Sequence, residues 1–292
     1  MCCVVLSCIA ADDPAEQPMT AHGSTGGHDS GPHHWLAMGL RLIADLKIGI
    51  MFSTRLPVGH VAPLTSGDLA RASWTFPIVG VLVGAAAAFA YWVSYIVGLP
   101  SGPCAALALA AAMTLTGCLH EDGLADTADG FGGGDDRAKK LDIMRDSRLG
   151  TYGACVLALS LLLRWSALAA IARPAAVALA LVAAHAAARA AMPAFMHLVP
   201  PARPDGLSAG AGRPPSQAAI AAAALGAVAL VLGLGPSAGI AALLLIAIAS
   251  GLMALLALRQ IGGQTGDVLG ALEQANEVIV LLTAAALSRA LS

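Results

Sequence analysis

The chain has 292 residues, 58% hydrophobic and 12% charged, with a net charge of −2 and a mean hydropathy of +0.76. Soluble domains carry about 25% charged residues, so this composition excludes an ordinary soluble enzyme and points to an all-α, polytopic membrane bundle. A near-neutral charge without a basic patch interleaved with aromatics also excludes a nucleic-acid partner.

Residues 1–34 stand apart from the rest. Residues 1–10 are apolar but lack a positive flank and are short for a secretory h-region. The following stretch is rich in Gly, His, Asp and Pro, and is expected to be a disordered tail. Residues 35–292 read as one membrane-embedded domain. Its first segment, 35–52, carries Arg41, Asp45 and Lys47 among apolar residues, a pattern suited to an N-terminal amphipathic helix at the membrane surface. Seven candidate spans follow, near 76–98, 104–119, 152–171, 175–198, 217–235, 238–258 and 276–291, punctuated by proline and glycine. Few aromatics and much alanine predict slim helices that pack closely. Three cysteines, Cys104, Cys118 and Cys155, fall in or beside these runs and are expected to be buried small hydrophobes.

With seven spans, segments 53–75, 120–151, 199–216 and 259–275 share one side of the membrane and hold ten of the sixteen Lys and Arg residues. The positive-inside rule then places those loops in the cytoplasm, at the cell inner membrane. Every motif below falls on that face.

The densest motif is 120–153, HEDGLADTADGFGGGDDRAKKLDIMRDSRLGTYG, with eight of the eighteen acidic residues. Asp122, Asp126 and Asp129 sit at i, i+4 and i+7, so on a helix they project from one face. Like charges at that spacing repel unless a cation sits among them. Oxygen-only ligands suit a hard divalent ion such as Mg2+, which commonly also holds phosphate. Arg145, Asp146 and Arg148 follow, and arginines can neutralise phosphate oxygens with bidentate geometry. Residues 262–267, Gly-Gly-Gln-Thr-Gly-Asp, form a polar turn before Asn276 and Glu277. Arg189 lies within an apolar run with His185 one turn earlier. An arginine in a span is either a functional group or one half of a salt bridge between helices; Arg164 is similar.

The 120–153 segment resembles the signature loop of cobalamin synthase, the adenosylcobinamide-GDP ribazoletransferase family. Further resemblance lies in Phe52-Ser53-Thr54-Arg55-Leu56-Pro57, Phe76-Pro77-Ile78-Val79-Gly80, Arg203-Pro204-Asp205-Gly206-Leu207 and the run from Gly262 to Ala271. It covers about 35–292 in register; Glu121 stands where many members have an apolar residue. The resemblance implies a Mg2+-dependent transferase of cobalamin biosynthesis. Its substrates would be adenosylcobinamide-GDP and α-ribazole or α-ribazole 5′-phosphate, giving adenosylcobalamin or its 5′-phosphate and GMP. In that chemistry Asp122, Asp126, Asp129 and Asp146 are the expected metal ligands. Arg145 and Arg148 are expected on phosphate or the departing GMP, and His120 or one of the aspartates takes the hydroxyl proton. Arg55, Arg189, Gln264, Thr265 and Asp267 are the remaining expected substrate contacts. A homo-oligomer is compatible with all of this. Two other readings compete: a CDP-alcohol phosphotransferase, whose aspartate motif differs in spacing and in an Ala-Arg pair missing here, and a cation-coupled transporter, which would favour acidic groups inside spans.

Overall fold

A computed structural model describes residues 32–59 and 67–290; helices account for most of these, and no strand occurs among them. The expected tail lies outside the described residues up to residue 31. In chain order the helices are α1 (Pro32–Ser53), α2 (Asp68–Ala72), α3 (Phe76–Ile96), α4 (Ser101–Thr116), α5 (Leu119–Gly133), α6 (Arg137–Ile143), α7 (Thr151–Ile171), α8 (Pro174–Leu198), α9 (Leu207–Ala211), α10 (Ser216–Leu234), α11 (Pro236–Ile261) and α12 (Gly266–Ala290). Six of the described helices are long and apolar enough to cross a membrane, and α4 with α5 make a seventh if the pair is one bent span.

Helix α8 is the centre of the bundle, packed against α3, α10 and α12. Its alanine-rich faces explain the close approach, because small side chains let backbones meet. The tightest contact is with α3, where Gly80 and Gly84 lie directly on the α8 backbone. A Cβ on Gly84 would stand 2.7 Å from Val182 Cα, so neither position has room for a side chain. The apolar core there includes Val79, Val83, Tyr91, Leu168, Leu181 and Leu230. Helix α11 is the opposite case: Leu244, Ile248, Leu252 and Leu255 are all more than half exposed, an apolar face turned outward as lipid contact requires.

The polar connections are tied together at one end of the bundle. Arg55 N–H donates to Leu115 O (2.8 Å), and Ala202 N–H to Gln264 O (2.8 Å). Arg137 Nη2 donates to Ala202 O (2.5 Å), Lys140 bonds Gln260, and Arg145 pairs with Asp205. The other end is closed by Tyr91 OH on Ala172 O (3.0 Å) and Trp165 Nε1 on Gly102 O (2.9 Å). The grouping expected from the charges is therefore present.

Three details depart from the sequence reading. Segment 120–151 is not a loop throughout: α5 turns 89° from α4 through Gly117 and Cys118, both at positive φ (67° and 60°). The last helix begins at Gly266, ten residues before the expected 276, which brings Glu273 and Gln274 into the same buried helix as Asn276 and Glu277. Cys104 is buried as expected, whereas Cys118 and Cys155 are exposed, at the bend and on the outer face of α7.

Candidate active site

The bend at Gly117 and Cys118 lays α5 across the polar end of the bundle, against α12, α7 and α6. Close packing on α12 again depends on glycine. A Cβ on Gly123 would stand 2.8 Å from Asp267 O and 3.2 Å from Gly270 Cα. This contact brings the acidic face of α5 beside the first turn of α12, and a cavity opens at the junction. His120, Asp122, Asp267 and Ser208 line its polar side; Phe52, Phe76, Met192, Met196 and Leu269 line its apolar side. The Phe52 and Phe76 rings stack with centroids 5.8 Å apart.

The four expected metal ligands fare differently. Asp122 is exposed and Asp126 half-buried, and Asp126 sits within electrostatic reach of Asp122, Asp267 and Asp129. Asp122 and Asp267 line the cavity, Asp126 lies beside them within electrostatic reach of both, and Arg203 Nη2 is 3.9 Å from Asp267 Oδ2. The three carboxylates do not stand at metal-ligand spacing from one another, though an oxygen-only set of this kind is the chemistry a hard divalent cation takes. Asp129 is engaged elsewhere, its Oδ2 accepting from Gly150 N–H (2.7 Å) and its Oδ1 from Gly153 N–H (2.8 Å). It caps α7, where free N–H groups and the helix dipole favour a carboxylate. Asp146 is partly exposed and forked with Arg148, whose Nε and Nη2 lie 3.0 and 2.5 Å from its Oδ2. These hydrogen bonds hold the Asp146 carboxyl below the usual carboxylate range.

Among the expected substrate contacts, Asp267 lines the cavity and Arg55 packs over Gly117 at the bend. Arg145 is engaged by Asp205 across the loop between α8 and α9. Thr265 Oγ1 accepts from Val268 N–H (3.3 Å) and opens α12. Gln264 is buried as a brace: its N–H donates to Pro200 O (2.8 Å) and its Oε1 accepts from Ser208 Oγ (2.7 Å). Arg189 is fully buried away from solvent, so the salt-bridge alternative is the one observed.

Behind the cavity lies a cluster that sequence reasoning did not assemble. Arg164 Nη1 is 3.2 Å from both Glu121 Oε1 and Glu277 Oε1. Arg189 Nη1 is 2.5 Å from Glu273 Oε1, and its Nη2 is 3.3 Å from His120 Nδ1. His185 Nδ1 is 3.3 Å from Glu277 Oε2. His185, Glu273 and Glu277 bring ligand atoms close enough for a metal, yet two guanidinium groups already supply the counter-charge. The cluster joins α5, α7, α8 and α12 by ion pairs. Glu121, from the first turn of α5, is one of its members.

Comparison with known proteins places this arrangement. Residues 45–285 match the family model described as cobalamin-5-phosphate synthase. A protein of Bradyrhizobium diazoefficiens named adenosylcobinamide-GDP ribazoletransferase is 58% identical over 245 residues, covering 84% of this chain and 94% of its own length. Proteins of the same name from Mesorhizobium japonicum (53% identical, 84% and 93% covered) and Ralstonia nicotianae (40% identical, 81% and 93% covered) are also similar. No solved structure matches.

Proposed function

The chain belongs to the cobalamin-5-phosphate synthase family, and from that premise we propose that it transfers the cobinamide phosphate of adenosylcobinamide-GDP to α-ribazole or α-ribazole 5′-phosphate. The products are adenosylcobalamin or its 5′-phosphate and GMP. The observation that carries the reading is that Asp122 and Asp267 line one half-apolar cavity beside His120, with Asp126 within electrostatic reach of both. An acidic rim suits a metal-bound diphosphate, and a wall of Phe and Met suits an apolar base.

In this reading a ribose hydroxyl attacks the phosphorus nearer the cobinamide. A new P–O bond forms, the bond to the bridging oxygen breaks, and GMP leaves with that oxygen. Asp122, Asp126 and Asp267 would hold Mg2+, which would neutralise charge on the diphosphate. Asp129 and Asp146 support from outside, one capping α7 and the other orienting Arg148. Arg148, Arg145 and Arg55 are exposed on the same polar end and are assigned to phosphate oxygens. The hydroxyl proton goes to His120 or to one of the cavity aspartates. We place the enzyme in the cell inner membrane with this end cytoplasmic, and with α1 lying at the surface. We assign residues 35–292 to the transferase domain.

The test is conversion of adenosylcobinamide-GDP and α-ribazole to a cobalamin by detergent-solubilised protein, with and without Mg2+. A cation-coupled transporter would share the buried carboxylates Glu273 and Glu277 but would form no product without a sealed compartment. If Asp122→Asn and Asp126→Asn both leave turnover and its Mg2+ dependence unchanged, the aspartates are not the metal site.

A further inference from the structure

His120 is 3% exposed, lines the cavity, and has two charged neighbours at its Nδ1 edge: Arg189 Nη2 at 3.3 Å and Glu273 Oε2 at 3.8 Å. Two arrangements are conceivable there. If Nδ1 carried the proton it would donate to Glu273, and Nε2 would be left as a base facing the cavity. If Nδ1 is bare, it accepts from Arg189, and the ring proton sits on Nε2. A guanidinium only donates, and Arg189 is the neighbour within hydrogen-bond distance. Glu273 is already engaged, paired with Arg189 at 2.5 Å and accepting from Gln274 Nε2 at 3.0 Å.

We infer that Arg189, held by Glu273, is a positioning residue that fixes His120 in the Nε2–H form, so that His120 presents a hydrogen-bond donor to the cavity. The group that accepts the hydroxyl proton is then a carboxylate of the cavity, Asp122 or Asp267. His120 contributes by donating to an oxygen that gains negative charge, as a fixed N–H does in other sites. This gives the buried pair Arg189–Glu273 a role in chemistry besides joining α8 to α12. It also corrects the assignment of His120 as a base. The catalytic part rests on the transferase reading; the tautomer does not.

The first measurement therefore needs no substrate. Protein carrying 15N-histidine in detergent micelles is examined by long-range 15N–1H correlation, with His120 assigned by the signal lost in His120→Gln. The expected result is a bare Nδ1 and a protonated Nε2; the reverse pattern overturns the inference whatever the activity. In Arg189→Met the proton is expected to spread over both nitrogens, whereas Arg189→Lys, which keeps a donor, retains the wild-type pattern. Turnover gives the second arm. His120→Gln keeps an N–H near the Nε2 position and is expected to stay within about tenfold of wild type, while His120→Ala loses about 100-fold, as on removing one such donor. Equal losses in Gln and Ala, in the range of about 10²–10⁴-fold expected for a missing general base, would overturn it. A protein with the expected tautomer but no transferase activity would sink the transferase reading and leave the tautomer standing.

Discussion

Asp129 and Gly150 are joined by a 2.7 Å hydrogen bond that fastens the far end of α5 to the start of α7. The second oxygen of the same carboxylate takes Gly153 N–H at 2.8 Å, so Asp129 is committed to backbone. Asp129→Asn turns an NH2 toward one of those donors and is expected to cost about 1–3 kcal/mol. Thermal unfolding in detergent should show the loss, while the half-saturating Mg2+ concentration stays near wild type. An unchanged melting temperature with altered Mg2+ dependence would make Asp129 a ligand instead of a cap.

Arg164 is the shared partner of Glu121 and Glu277, and all three are buried. Arg164→Met leaves two carboxylates without their cation and is expected to destabilise the protein by about 3–5 kcal/mol. Removing the stranded charges as well, in Arg164→Met with Glu121→Gln and Glu277→Gln, should recover part of that loss. Detergent unfolding of the single and combined variants measures the coupling. Purely additive losses would mean that the contact contributes nothing.

Gly84 has no space for a side chain against Val182. Gly84→Leu must push α3 from α8, and overpacking of this kind costs about 1–3 kcal/mol or more. Yield of monodisperse protein should fall sharply, whereas Gly251→Leu, at a position open on α11, should not change it.

Arg148 is exposed and pairs with Asp146, an arrangement that contributes little to stability. Arg148→Ala is expected to leave the melting temperature unchanged and to raise the KM for adenosylcobinamide-GDP about tenfold or more, as loss of a charged hydrogen bond to phosphate would. The KM for α-ribazole should stay constant. Parallel changes in both constants would point to a disturbed loop instead of a lost phosphate contact.

The bundle and its polar end were legible because apolar runs and basic loops are properties of contiguous sequence. The aspartate spacing on α5 was legible for the same reason. The start of α12 was not, since residues 266–275, with Asp267, Glu273 and Gln274, look like a solvated turn until the groups facing them are known. A signal did exist. Arg164 and Arg189 lie within apolar runs and need buried counter-charges. Beyond residue 150 the chain offers only Asp205, Asp267, Glu273 and Glu277. Matching the two cations to the two glutamates spaced one turn apart would have extended the last helix back through them. The cap made by Asp129 was out of reach, because backbone donors at Gly150 and Gly153 leave no mark in residue type.

The ionic cluster also imposes an order on biosynthesis. Arg164 already has Glu121 behind it in the chain, whereas Arg189 leaves the ribosome roughly eighty residues before its partner Glu273. Helix α8 therefore carries an unneutralised guanidinium group until the C-terminal helix arrives, and the ion-pair cluster closes only when the last helix docks.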